Sequence, residues 1–330
     1  MKESTRLTSH GTHSPLWRMV LIALACTASV AVPAARADVD VVPEVVIQGP
    51  DPGVGFESIG GVAMEPTTLE FAVAEGGRGR ILFFGIDGWL LGRAVHSVTM
   101  PDGDVRAGNP SSIAYDRQGN LLVVDRLVPY VDVLDYMGAF VSRLELPGLD
   151  NNTRDTGRGA VAVAVAPNGR ILVGTTGDSA RICEFSPDYE YVGSWGVSGV
   201  EPGQLLGITG IAVASDGHVV VACGRTKLGI QVFESNGEFI KGFGVHEPGL
   251  GNVSVPGSVA VTFDGRIWVS DEMRHVVQVF SASGEFLGFV GGGGIAAGEF
   301  QYPSALATDG RQRLVVAERV GGRVQVMRIQ

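Results

Sequence analysis

Turn glycines Gly119, Gly169, Gly217 and Gly265 stand 50, 48 and 48 residues apart, each at the same place in a recurring pattern. Residues 110–140, 161–191, 208–239, 256–286 and 303–327 are successive copies, and a degenerate sixth fits at 60–92. The copy at 256–286 reads PGSVAVTFDGRIWVSDEMRHVVQVFSASGEF. An apolar run ends at an Asp/Gly turn, a second run follows, a polar loop leads to a third, and another Gly turn leads to a fourth. Runs of four to six residues, rich in β-branched side chains and bounded by turn residues, predict strands rather than helix. One four-stranded sheet per 48 or so residues, repeated six times, is the signature of a propeller. The expected fold is therefore all-β: a six-bladed β-propeller of four-stranded antiparallel blades. Blades are expected near 58–97, 108–145, 158–195, 207–243, 254–290 and 301–330.

The last copy stops at Gln330 after three strands. Its open edge would expose a row of amides and carbonyls. Residues 39–48, VDVVPEVVIQ, are a β-type segment outside every copy. They are expected to supply the missing strand and close the ring, with Pro43 tolerated because that strand lies at an edge.

Residues 1–37 read as a secretory signal. Lys2, Arg6 and Arg18 precede the apolar run Met19–Val32, and Ala35-Arg36-Ala37 offers a cleavage site before Asp38. The run is too short for a membrane span. A periplasmic or extracellular protein is expected, a lipoprotein anchored at Cys26 being the alternative. Residues 1–37 contribute +3 to a net charge of −10, leaving −13 on residues 38–330. So acidic a body is repelled by phosphate backbones, which argues against nucleic-acid partners. Cys183 and Cys223 lie within apolar runs and read as buried and reduced, a pair between neighbouring blades being the alternative. The sequons at Asn151 and Asn252 read as incidental.

The repeat itself resembles the NHL family. The likeness rests on P-x-x-[IV]-A-V-x-x-x-G, then V-x-D, then [IV]-Q-V-F-x-x-x-G-x-F, seen best at 256–286, and on Gly-rich connections such as GGGGIAAGEFQYP. WD40 and kelch signatures do not recur. The resemblance implies a single NHL-type domain over 38–330 and says little about function. Similar propellers bind peptides or RNA, act as sensor ectodomains or scaffolds, or, less often, are metal-dependent lyases.

Chemistry-bearing residues are sparse. An acid closes the second strand at Glu75, Asp125, Asp271 and Glu318, and is replaced by Thr175 and Cys223 in blades three and four. Its recurrence favours a scaffold role, capping a loop and pairing Arg80, Arg274 or Arg323, over a ring of calcium ligands. Beyond residue 37, His96, His218, His246 and His275 occupy unlike slots, so no convergent metal set is expected. No serine elbow or activated cysteine is visible. The expected function is accordingly a non-catalytic binding or scaffold module without cofactor or metal, engaging a protein, peptide or glycan on the loop-rich face. The alternatives are a metal-dependent lyase or hydrolase at the tunnel mouth and a structural subunit of an envelope complex. Departures from the repeat in blades three and four place the expected ligand contacts at Arg154, Arg158, Arg181, Arg225 and Lys227, a locally positive sector suited to an anionic partner.

Overall fold

The computed structural model describes residues 39–330 except Pro66, Pro101, 150–158 and 178–179. The expected signal, Cys26, the Asn151 sequon, Arg154 and Arg158 lie outside the described residues. Six four-stranded antiparallel sheets form the blades. Blade 1 comprises Ile59–Met64, Phe71–Glu75, Arg80–Phe84 and Leu90–Val95. Blade 2 comprises Pro110–Tyr115, Leu121–Asp125, Val131–Leu134 and Phe140–Leu144. Blade 3 is built from Ala160–Val165, Ile171–Thr175, Ile182–Phe185 and Tyr191–Trp195, and blade 4 from Ile208–Val213, Val219–Cys223, Leu228–Phe233 and Phe239–Val245. Blade 5 holds Pro256–Val261, Ile267–Asp271, Val276–Phe280 and Phe286–Gly291. Blade 6 has Pro303–Thr308, Arg313–Glu318 and Arg323–Ile329, with Val41–Ile47 as its outermost strand. Among the described residues, no helix is long and apolar enough to cross a membrane.

The recurring glycines do what their spacing implied. Gly119, Gly169, Gly217 and Gly265 all take φ between 82° and 93°, which lets the first two strands of each blade join in a tight turn. Blade 1 lacks that glycine. There the Glu65 carboxylate accepts the Thr67 amide at 2.7 Å and organises a longer turn.

Each blade is apolar on both faces, so each junction between blades is a core of its own. Phe71, Val73 and Leu82 meet Val315, Ala317 and Val326 between blades 1 and 6. Trp268 and Val279 meet Leu314 and Val316 between blades 5 and 6. Cys183 and Cys223 are both free and fully buried, and they belong to different junctions. Burial pushes the Cys223 thiol up to about 11, far from a reactive thiolate.

First strands of successive blades pack side by side around the axis, and that of blade 6 packs on that of blade 1. Their small residues are a steric requirement. A Cβ on Gly60 would lie 2.4 Å from the carbonyl oxygen of Pro110 and 2.6 Å from Ser111 Cα, both backbone atoms of the next blade. Gly60→Val is therefore expected to destabilise the ring by about 3 kcal/mol. Thermal denaturation checks this, with a fall of several degrees in Tm expected.

The recurrent acids are internal staples. Fully buried Glu75, Asp125, Asp271 and Glu318 accept the backbone amides of Glu57, Asn109, Ser254 and Gln301 at 2.6–2.7 Å. Glu318 also accepts Arg323 Nε at 2.7 Å, Glu75 pairs with Arg80, and Arg274 stands 3.6 Å from Asp271. Each staple ties the segment entering a blade to the end of that blade's second strand. In blade 3, Thr175 instead exchanges hydrogen bonds with the Arg181 backbone.

Ring closure follows the expected pairing, antiparallel from Val41↔Ile329 to Ile47↔Val324. The register shifts between Pro43 and Val45, so the residue without an amide sits at a bulge on an edge strand. Glu44 pairs with Arg313 at 3.2 Å and with Arg328.

Candidate active site

The end of each second strand fixes one further position. The residue after the acid slot donates its amide to the carbonyl of the residue preceding or entering the first strand: Gly76 to Ser58, Arg126 to Asn109, Thr176 to Gly159, Gly224 to Gly207, Glu272 to Val255 and Arg319 to Tyr302, all at 2.8–3.1 Å. One backbone bond thus repeats six times around the mouth of the tunnel, on the face carrying the loops between second and third strands. The side chains at this slot do not repeat. Blades 2, 5 and 6 present Arg126, Glu272 and Arg319, and these three line a cavity of about 480 Å³ with Ser111, Thr209 and Ser304. Beneath it lies a cavity of about 240 Å³ between first strands, walled by residues such as Gly61, Ser112, Val163 and Gly210.

Glu272 is only 7% exposed. Its Oε1 accepts Arg319 Nη2 at 2.7 Å, and no hydrogen bond to Oε2 occurs among the described residues. It rests over Gly257, where a Cβ would come within 2.9 Å of Oε1. Burial raises the carboxyl above its ordinary range. The Arg319 charge opposes that rise, neighbouring Asp271 adds to it, and Arg126 opposes it from another blade. The Ser304 hydroxyl, buried in the wall shared by mouth and tunnel, has no hydrogen-bond partner among the described residues. A carboxylate made more basic by burial, next to two guanidinium groups, can take a proton from water while charge develops on a neighbouring oxygen.

A metal ion does not fit these donors. Among the described residues no three His, Cys, Asp or Glu side chains converge. The one carboxylate at the mouth is accompanied by two arginines, whose charge opposes a cation. Buried His96 Nε2 lies 3.3 Å from Asp125 without a hydrogen bond, and His275 Nδ1 accepts the Tyr302 amide. His246 meets the Ser254 carbonyl, and His218 faces Asp216 and Glu234.

Of the arginine-rich sector expected from the sequence, the described members are Arg181, Arg225 and Lys227. Arg181 reaches the Pro147 carbonyl, Lys227 pairs with Glu201 at 2.6 Å, and Arg225 lies over Gly207. None of the three lines the mouth cavity. A wider depression of about 730 Å³, lined by Leu91, Tyr136 and Met137, has Arg93 committed to Asp51 and Glu65 to Thr67. Sequence reasoning singled out Asp271 and Glu318 and passed over their immediate neighbours. The available signal was the irregular series Gly, Arg, Thr, Gly, Glu, Arg at a slot whose flanks repeat.

No family model matches the chain, and no curated protein matches it. Solved structures do. An X-ray structure of a protein assigned as a gluconolactonase superposes with a TM-score of 0.62 at 15% identity, covering 89% of this chain and 93% of that one. A gluconolactonase from Xanthomonas campestris, described as important in glucose secondary metabolic pathways, gives 0.60 at 16% identity over 91% and 93%. At such identity the likeness shows the fold alone, and it is to propellers of gluconolactonase type rather than specifically to NHL proteins. It nevertheless corrects the expectation of a non-catalytic module, because these neighbours are named as enzymes. Glu272 carries no motif of its own in the sequence: it follows the recurrent Asp271, and its burial at the mouth is set by the packing of the ring.

Proposed function

We propose that this chain is a hydrolase of small lactones or comparable esters, with Glu272 as general base at the tunnel mouth. The observation that carries the reading is the burial of Glu272 in a cavity wall beside guanidinium groups, with burial raising its carboxyl above the ordinary range. The names of the structural neighbours are consistent with it.

In the first step a water oxygen attacks the ring carbonyl carbon and gives its proton to Glu272. The carbonyl electron pair moves onto oxygen, and the field of Arg126 and Arg319 stabilises that charge. The ring C–O bond then breaks, and the leaving alkoxide takes the proton back from Glu272. The product is a hydroxy acid, which loses its carboxyl proton to solvent.

The test is titration of acid release by the full chain from a panel of γ- and δ-lactones. Hydrolysis above the spontaneous rate is expected, falling as pH drops through the raised carboxyl. Arg319→Ala removes the larger of the two influences that lower this carboxyl. The acid limb of its pH–rate profile is therefore expected to move to higher pH. Absence of hydrolysis across the panel, or a limb that stays in place, would overturn the assignment.

A further inference from the structure

We infer that the substrate carries an anionic group, a carboxylate, that is held by Arg126 across the mouth from Glu272. The inference rests on the hydrolase reading for its reaction and on separate observations for its ligand chemistry. Arg126 projects into the cavity and, among the described residues, its guanidinium makes no hydrogen bond or ion pair, unlike Arg319 with its 2.7 Å contact to Glu272. Arg143, Arg170 and Arg323 are engaged by Asp132, Glu184 and Glu318, whereas the exposed Arg126 shares with Arg117 and Arg225 the lack of such a partner among the described residues. Two guanidinium groups against one carboxylate leave the mouth at +1, on a body whose residues 38–330 carry −13. A local reversal of sign in a concave site concentrates anions there and excludes them elsewhere.

The second observation is independent of charge. Ser304 is 8% exposed, it lines the same cavity, and its hydroxyl is unpartnered among the described residues. Buried hydroxyl groups are ordinarily satisfied, so this one awaits a hydrogen-bonding ligand. An oxygen-rich carboxylate lactone supplies an acceptor for it as well as a charge for the planar fork of Arg126. Ile59, Val161 and Ile208 add apolar wall suited to a compact ring, and Ser58, Ser111 and Thr209 add hydroxyl groups beside the charged residues.

The experiment compares γ-butyrolactone with its γ-carboxylate as substrates of the full chain, for the wild type, Arg126→Gln and Arg126→Lys. The wild type should prefer the carboxylate. Arg126→Gln should raise KM for it by about 10- to 100-fold, the worth of a charge-assisted hydrogen bond, with a much smaller change in KM for the neutral lactone, so that the preference between the two collapses. Lysine should recover part of the loss, because it restores charge but not the fork. Equal use of both lactones by wild type and Arg126→Gln would overturn the inference and leave the hydrolase reading standing. If neither lactone is hydrolysed, the hydrolase reading fails, and calorimetry with glutarate decides the anion site separately. Binding that is lost in Arg126→Gln supports the site, and no binding to the wild type overturns it.

Discussion

Glu272→Gln is expected to lower lactone hydrolysis by about 10²- to 10⁴-fold, the range supplied by a positioned general base, while leaving the protein at least as stable as wild type. Both halves follow from one environment. Glutamine keeps the volume over Gly257 and can still meet Arg319, but it cannot accept a proton from water. For stability, the folded-state carboxyl lies above its ordinary 4.5 because burial disfavours the charged form. A group raised in this way weakens the folded state at pH above its folded value, and that penalty fades as pH falls through it. Removing the charge removes the penalty at neutral pH. Arg319, with its side chain about half exposed, stays solvated when it loses its partner. A residue that diminishes stability yet is essential for rate has the profile of a catalytic group. Initial rates and Tm measured on the same preparation check the pair. A variant that retains wild-type rate removes Glu272 from the reaction, and one that melts far below wild type makes it a structural residue instead.

Deleting residues 39–47 is expected to lower Tm by roughly 10 °C or more, or to cause aggregation outright. Calorimetry and size-exclusion chromatography would show either outcome. The segment 39–47 spans two junctions. Ile47 packs into the core shared by blades 6 and 1, and Val39 into that between blades 5 and 6. Their burial is worth about 1.5–3 kcal/mol each. The deletion also strips Glu44 from Arg313 and Arg328 and exposes the whole edge of Arg323–Ile329, a template for intermolecular pairing. A truncated chain that melts like the intact one would mean that the ring holds without this strand.

The architecture was legible because its determinants are local and repeated. A turn glycine with positive φ recurring every 48 or so residues and an acid at four of the six second-strand ends are read within single copies, and six copies make a ring. Closure was legible too, since three strands at one end and an orphan at the other leave a single economical pairing. The site was not, for two reasons. Glu272 and Arg319 come from consecutive blades 47 residues apart, and Arg126 of blade 2 shares their cavity only when the ring is complete. Each also follows a more conspicuous neighbour, since Asp125, Asp271 and Glu318 carry the repeated pattern and draw attention to the staple. Thr175 and Cys223, the departures at the acid slot itself, stand one residue before the variable slot from which Arg126, Glu272 and Arg319 line the mouth cavity.

The slot after the staple separates what holds the molecule up from what it can react with. Its backbone amide is committed in every blade, so the course of the chain there is indifferent to the side chain. The scaffold behaves like a dial with six fixed stops, each able to be lettered independently. The stops are unequal. At Gly76 a Cβ would meet Asn109 Oδ1 at 2.5 Å, whereas at Gly224 nothing lies nearer than 3.8 Å. Blade 4 therefore holds a blank position beside a charged mouth. A lineage, or a designer, could write a new specificity there without touching the sheets, and the present set of two arginines and one glutamate is one spelling among those the ring permits.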